Sequence, residues 1–213
     1  MSTFREFNKK CAICGAESKH NILMSTNSFG SPDLDLRPPE MRRSTMWLWI
    51  QRCPCCDYVN YDIESESSAN EEFLKSCEYS SNDGLEFKSE LADRFYKHYK
   101  IMMLDRKYMD AYSALLRCAW SCDDRRDINN AKHVRKMAVN MFEKLPRLKK
   151  GNENIIAQYV DILRRSGDFE RVISEFTDRK FNDETIQAVV NFQLELAKNK
   201  DAGVYTVRDA LKE

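Results

Sequence analysis

Two Cys-x-x-Cys motifs constrain the fold of this chain more than any other feature. The first is Cys11-Ala-Ile-Cys14, and the second is Cys53-Pro-Cys-Cys56. Thiols three residues apart in a tight turn can both point at one tetrahedral ion. Two such pairs separated by a few tens of residues are typical of a four-thiolate zinc site of the ribbon type. The sequence therefore predicts one structural Zn²⁺ ion bound by Cys11, Cys14, Cys53 and Cys56.

A fifth thiol and a histidine compete for places in this site. Cys55 lies within the second motif, but adjacent side chains in a turn diverge, so the spacing favours Cys56. His20 is a weaker substitute ligand. Four thiolates close the coordination shell, whereas a catalytic zinc keeps an open position. We therefore expect a structural ion and no enzymatic activity. A redox role fits less well, because a thiol oxidoreductase needs only one such motif.

Each turn needs a permissive residue directly after its second cysteine. Gly15 supplies it in the first turn, and Asp57 stands there in the second, where aspartate tolerates positive φ better than most residues. Four thiolates around one Zn²⁺ leave an excess of negative charge. Lys9, Lys10 and Arg52 precede the two turns, and we expect them to offset that charge.

Composition predicts a soluble, cytoplasmic protein. Among 213 residues, no apolar run approaches the roughly 20 residues needed to span a bilayer, so we expect no membrane partner. The first ten residues contain no apolar core that could serve as a signal peptide. In the cytoplasm, eight cysteines favour metal chemistry over disulfides. The formal net charge of zero argues against a protein that mainly coats nucleic acid, but it permits a local basic patch.

Residues 1–62 are predicted to form the zinc-ribbon domain, because they hold the paired cysteines and lack helical periodicity. Asn21–Thr26 and Thr45–Gln51 have the pattern of short strands that flank the metal. Between them, Ser28–Glu40 is rich in Gly, Pro and Asp, which indicates a long ordered loop.

Residues 63–84 are predicted to be an acidic connector with a short helix around Glu71–Tyr79. From residue 85 to 213 the pattern becomes helical. Asp83-Gly-Leu-Glu86 has the form of a helix N-cap with a carboxylate three residues on, so the first long helix should begin there.

Six further segments have helical patterns. Two of these helices should pack as an antiparallel hairpin, and Pro146 should end the second one. The apolar face of the first helix holds Tyr108, Ala111, Tyr112, Leu115, Ala119 and Cys122. That of the second holds Ala131, Val134, Ala138, Met141, Phe142 and Leu145. A second pair runs from 152 to 165 and from 169 to 176, and Gly167 suits the left-handed cap between them. Residues 182–198 predict another helix, and 204–211 a final short one.

Successive helical hairpins with Gly-Asp-Phe in the turn resemble tetratricopeptide-type repeats, in which each pair buries its apolar face against its neighbours. The match is partial, because the two hairpins have unequal lengths and the small residues of the crossing points are matched only loosely, by Ala119, Ala131 and Ala138. The predicted fold is a small zinc-ribbon β domain followed by an all-α tetratricopeptide-like helical array.

The loop Asp33-Leu-Asp-Leu-Arg37 has two interpretations. Asp33 and Asp35 with Arg37 could face a divalent cation or a phosphate, since hard cations take carboxylate oxygens. Asp and Pro also hold ordered loops by their own turn chemistry, and we favour that interpretation.

Two tryptophans suggest a surface for nucleobases. Trp47 and Trp49 would point to the same side of the predicted strand, and they could stack bases with help from Arg42, Arg43 and Arg52. Tryptophans of this kind are more often part of a core or seal one domain onto its neighbour.

A basic run begins with Lys132, His133, Arg135 and Lys136 and continues with Lys144, Arg147, Lys149 and Lys150. It is either a solvated helix face or a patch that meets the acidic connector or an acidic partner.

Several segments together resemble the bacterial family known as domain of unknown function 2225. They are Cys11–Gly15, Asp33–Pro39, Trp49–Tyr58, Leu116–Trp120 and Ile162–Phe169. The resemblance covers most of the chain up to about residue 180, and it implies a zinc ribbon followed by tetratricopeptide-like helices, with no activity to carry over. Asp57 departs from the glycine expected at its position, which removes no ligand.

Three functional hypotheses follow. The leading one is a non-enzymatic scaffold whose helical array binds a protein partner. The second is a nucleic-acid-binding accessory subunit that uses the tryptophans and arginines of the ribbon. The third and weakest is an enzyme working at the Asp33–Arg37 loop.

Overall fold

The computed structural model describes residues 1–145 and 152–212. Contacts divide the chain into two compact units. One comprises Met1–Ser28 with Glu40–Asn130, and the other comprises Phe29–Pro39 with Ala131–Glu213. The predicted domains 1–62, 63–84 and 85–213 describe parts that would fold independently. That division stays a prediction.

The first unit opens with antiparallel hairpins. Strand β1 (Thr3–Lys10) pairs with β2 (Glu17–Ser25), and the first Cys-x-x-Cys motif lies in the turn between them. The remaining strands are very short: β3 (Ser28–Phe29), β4 (Glu40–Met41), β5 (Gln51–Arg52) and β6 (Val59–Asn60). Strands β5 and β6 pair around the second motif. Each pair of cysteines therefore lies in the turn of its own hairpin.

The strand predicted over Thr45–Gln51 is wrong in most of its length. Arg43–Leu48 form a 3-10 helix, and only the last residue of the prediction enters β5. The apolar run from 46 to 50 imitates a strand, but the Thr45 hydroxyl donates to the Arg42 carbonyl at 2.8 Å and accepts from the Trp49 indole N–H at 3.1 Å. These local hydrogen bonds stabilise a helical turn.

Four helices complete the first unit: α1 (Glu71–Lys75), α2 (Cys77–Ser80), α3 (Glu90–Leu104) and α4 (Tyr108–Asp124). The short helix predicted around Glu71–Tyr79 is two helices, because Ser76 has an extended backbone and caps α2 by accepting from the Tyr79 N–H. The long helix starts later than predicted. Its cap is Ser89, which accepts from the Ala92 N–H, and not Asp83.

Helix α3 packs along α4 and also contacts strand β6. Its buried side chains include Phe95, Tyr96 and Ile101, and α4 contributes Tyr112 and Leu115. The aromatic and aliphatic spacing that predicted these two helices therefore marks their shared core. Since β6 follows the second cysteine turn, the same helix also supports the cysteine hairpins.

The second unit is helical. It contains most of α5 (Ile128–Glu143), then α6 (Glu153–Ser166), α7 (Phe169–Phe176), α8 (Glu184–Lys198) and α9 (Val207–Leu211). Gly167 caps α6 with φ 86°, as predicted for the turn before α7. Pro146, predicted to stop a helix, lies outside the described residues, as do Arg147, Lys149 and Lys150. The predicted antiparallel packing of α4 with α5 stays a prediction.

The loop that carries Asp33 and Asp35 belongs to the second unit. Leu34 N–H donates to the Tyr205 carbonyl at 2.9 Å, and Val207 N–H donates to the Pro32 carbonyl at 2.9 Å. The boundary predicted at residue 62 instead places this loop in the N-terminal domain. Within the loop, Leu36 N–H donates to the Asp33 carbonyl at 2.9 Å and Arg37 N–H donates to the Asp35 carboxylate at 3.2 Å, in agreement with the turn-chemistry interpretation.

The described chain thus has small hairpins near its N-terminus followed by a helical region, as predicted. Its helices, as far as the structure describes them, are all too short or too polar to cross a bilayer.

His98 should make the first unit sensitive to acid. Its side chain is fully buried in α3 against the Tyr61 ring, and burial lowers its pKa from 6.5 to about 4. Above about pH 6.5 the histidine is neutral in both states. As the pH falls toward 4, only the unfolded chain binds the proton, so we expect the free energy of unfolding to fall by about 2 kcal/mol at about pH 5.

The variant His98→Phe isolates this contribution, because phenylalanine keeps a ring of similar shape beside Tyr61. Urea unfolding at neutral pH and at about pH 5 should show a change about 2 kcal/mol smaller in the variant than in the wild type. The same pH dependence in both proteins would show that His98 is protonated in the fold.

Candidate metal centre

The four predicted cysteines meet in the first unit. The sulfur atoms of Cys11, Cys14, Cys53 and Cys56 all lie within 4.8 Å of one another. Cys11 Sγ is 3.6 Å from Cys56 Sγ, and Cys14 Sγ is 3.6 Å from Cys53 Sγ. Zinc–sulfur bonds of about 2.3 Å in a tetrahedron place the sulfurs about 3.8 Å apart. The cluster therefore has the dimensions of a four-thiolate metal site.

The two cysteine turns have the same backbone geometry. Gly15 N–H donates to the Cys11 carbonyl at 2.9 Å, and Asp57 N–H donates to the Cys53 carbonyl at 3.1 Å. Both residues after the turns have left-handed backbones, with φ 71° at Gly15 and 65° at Asp57. The predicted need for a permissive residue is confirmed at both positions.

Burial and backbone N–H groups act oppositely on the thiols. A hydrogen bond from the Ala16 backbone is the main cause that lowers the pKa of Cys14 to about 7. Burial raises the pKa values of Cys11 and Cys56. Cysteine binds metal as the thiolate, so binding an ion here must release protons. Metal affinity should therefore weaken as the pH falls.

The two competing ligands lie outside the cluster. Cys55 is exposed, and among the described residues it does not join the group of four within 4.8 Å. His20 is half-buried, and its Nε2 is 2.8 Å from the Ser18 hydroxyl. The spacing argument that favoured Cys56 over Cys55 therefore agrees with the geometry.

The basic residues before the turns bind carboxylates. Lys9 Nζ is 3.0 Å from an oxygen of Asp62 and 2.8 Å from one of Glu64. Arg52 Nε donates to the Asp57 carboxylate. The positive charges of Lys9 and Arg52 are thus divided between the thiolates and these acids. The ion pairs with the acids also hold the chain around the hairpins.

Asp57 does more than accept a left-handed backbone. Lys97 Nζ, on α3, lies 2.5 Å from its carboxylate and 3.6 Å from that of Asp93. The Tyr79 hydroxyl donates to the Asp57 carbonyl at 2.6 Å. Through these contacts, and the bond from Arg52, the second cysteine turn is joined to α2 and α3. Sequence reasoning treated Asp57 only as a replacement for glycine and missed this role. Arg52, five residues earlier, was the local signal for an ion pair.

Substitutions at Asp57 should separate backbone strain from ion pairing. Asp57→Ala removes the partner of the nearly buried Lys97 and keeps the left-handed strain, so we expect the free energy of unfolding to fall by about 2 kcal/mol. Asp57→Gly removes the same ion pairs but relieves the strain, so it should be about 1 kcal/mol more stable than the alanine variant. Denaturant unfolding with zinc in excess measures both. An alanine variant as stable as the wild type would contradict the role of Asp57.

The tryptophans do not share one face of a strand, because most of that segment is helical. Trp47 is 45% exposed and meets Phe4 edge to face, with ring centroids 5.5 Å apart. Trp49 is half-buried, and the guanidinium carbons of Arg42 and Arg117 each lie 5.9 Å from its ring centroid. The protein's own arginines thus lie near the ring proposed for base stacking.

Comparison of the chain with protein-family models, curated proteins and solved structures found no match. The resemblance to domain of unknown function 2225 therefore stays a prediction that depends on the residues quoted for it. The observed features define a chain with a four-cysteine cluster, able to hold a metal ion, in two hairpin turns ahead of a helical region.

Proposed function

We propose that the chain is a non-enzymatic scaffold subunit of the cytoplasm, in which a zinc ribbon is joined to a tetratricopeptide-like helical array that binds a protein partner. The zinc ribbon is supported by four thiols that lie within 4.8 Å of one another in two equivalent hairpin turns. Cys11, Cys14, Cys53 and Cys56 would bind one Zn²⁺ ion.

Zinc fits this donor set best. Thiolates are soft ligands, and a compact tetrahedral group of four is typical of structural zinc sites. Such a shell has no position for water or substrate, so the ion would stabilise the hairpins and take no part in a reaction. The reducing cytoplasm would keep the thiols available for the metal.

The helical region supports the scaffold role. Helices α6 and α7 are joined by the left-handed Gly167 cap, and α8 packs against both of them. Tyr159 of α6 meets Phe176 of α7 with ring centroids 6.4 Å apart, as expected when a helix pair buries its apolar face against its neighbour. Arrays of this type commonly present surfaces to other proteins.

A nucleic-acid-binding role is the second candidate, because Trp47 is 45% exposed beside Phe4. Exposed aromatic side chains can stack bases. Arg52 would contribute less than predicted, since it is paired with Asp57.

Affinity purification of the full chain from its native cell tests the two candidates together. A single protein that co-elutes in fixed proportion, with zinc bound to the chain, supports the scaffold. Salt-dependent binding of labelled single-stranded nucleic acid that is lost in Trp47→Ala, without a protein partner, would overturn it in favour of the second candidate.

A further inference from the structure

The basic run on α5 divides into a buried and an exposed part. Arg135 is 2% exposed and lies 3.8 Å from the buried Asp35 carboxylate, so it belongs to the interior of the second unit. Lys132 and Lys136 are exposed, one helical turn apart. They form no ion pair with a carboxylate in the part of the chain that the structure describes. The two lysines are therefore available to an external ligand.

These lysines line a cleft of about 410 Å³ in the second unit. One wall is α5, and the other is the turn between α6 and α7. Asn140, Gly167, Asp168 and Arg171 also line the cleft. A volume of this size lies within the range of protein sites that hold ligands.

The absence of a side chain at Gly167 shapes the cleft. A Cβ atom at this position would lie 2.7 Å from Lys132 Nζ, so the ammonium group lies directly against the turn. The left-handed backbone at Gly167 independently favours glycine. Glycine at this position therefore leaves room for the Lys132 ammonium group beside the turn.

Arg171 contributes little free positive charge. Its guanidinium lies 2.6 Å from Glu143, 2.9 Å from Glu175 and 3.5 Å from Asp168. Of these three carboxylates only Asp168 lines the cleft, and Arg171 pairs with all three of them. The site therefore offers two separate ammonium groups, and a ligand must present its negative charges at a matching separation.

We propose that this cleft binds an extended acidic peptide segment of the protein partner, with carboxylates at alternate positions over Lys132 and Lys136. Positions 132 and 136 are four residues apart, an advance of about 6 Å along α5, and alternate side chains of an extended peptide are about 6.6 Å apart on one face. Asn140, one turn further along, can pair with the peptide backbone. This inference rests on the proposed function, because it names the chemistry of the partner.

A fluorescent oligoglutamate peptide is a direct probe, with oligoglutamine as the neutral comparison. The double variant Lys132→Ser/Lys136→Ser should bind oligoglutamate roughly tenfold more weakly than the wild type. A matched control, Lys88→Ser/Lys198→Ser, removes the same charge from exposed positions elsewhere and should bind like the wild type. Amide resonances of Gly167 and Asp168 should shift on titration of the wild type.

Equal weakening in both double variants would overturn the proposal, because general charge would then explain binding. Equally effective competition by inorganic phosphate would also overturn it, in favour of a site for an isolated anion. A native partner that co-purifies equally with the wild type and the Lys132/Lys136 variant would refute the cleft and leave the proposed function intact. If no protein co-purifies with either, the proposed function fails, and the oligoglutamate titration still decides the cleft.

Discussion

Cys53→Ser is expected to abolish zinc binding and to unfold the cysteine hairpins. Cys53 is fully buried, and its sulfur is 3.6 Å from that of Cys14, so serine would leave three thiolates around the ion. Structural zinc contributes about 10–16 kcal/mol of apparent binding free energy in zinc-finger peptides. Two hairpins with so few buried residues cannot replace that contribution. Elemental analysis should find one zinc per wild-type chain and none in the variant.

The matched control is Cys55→Ser, since Cys55 is the exposed neighbour in the same turn. It should retain zinc and melt at the wild-type temperature. Removing the metal with a chelator should reproduce the effect of Cys53→Ser. The dispersed nuclear magnetic resonance signals of residues 1–62 should be lost, while the helical circular dichroism largely persists. If Cys53→Ser kept its zinc, or if Cys55→Ser lost it, the ligand assignment would be wrong.

Asp35→Ala is expected to have the second largest effect. Asp35 is 0% exposed, and its Oδ2 lies 3.1 Å from Arg165 Nη1 and 3.8 Å from an Arg135 nitrogen. Removing the carboxylate leaves two buried guanidinium groups without this counter-charge. The free energy of unfolding should fall by about 3–5 kcal/mol. Urea unfolding of the intact chain measures the change.

The neighbouring Leu36 provides the control, because its side chain is 42% exposed. Leu36→Ala should alter the free energy of unfolding by less than about 0.5 kcal/mol. Asp35→Asn should lie close to Asp35→Ala, since both remove the charge, although asparagine nearly keeps the shape. A small loss in both Asp35 variants would show that water reaches this site and screens the arginines.

Helix positions were largely predictable, but one short segment was not. Helices α6 and α8 occur close to their predicted ranges because apolar residues at a spacing of 3.6 indicate one buried face. Thr45–Gln51 contains a short apolar run typical of a strand, yet two side-chain hydrogen bonds made by Thr45 favour a helical turn. A short apolar run is compatible with either element, so such local bonds decide between them.

The local features of the metal centre can be read directly from the residue order: two pairs of cysteines, each three residues apart, and a permissive residue after each pair. These are decided by turn geometry, which acts over a few neighbouring residues. Which distant groups meet is known only from the folded chain. Asp57 pairs with Lys97, and Asp35 with Arg165, 130 residues away. Such pairs depend on how whole elements pack, and no local spacing records them.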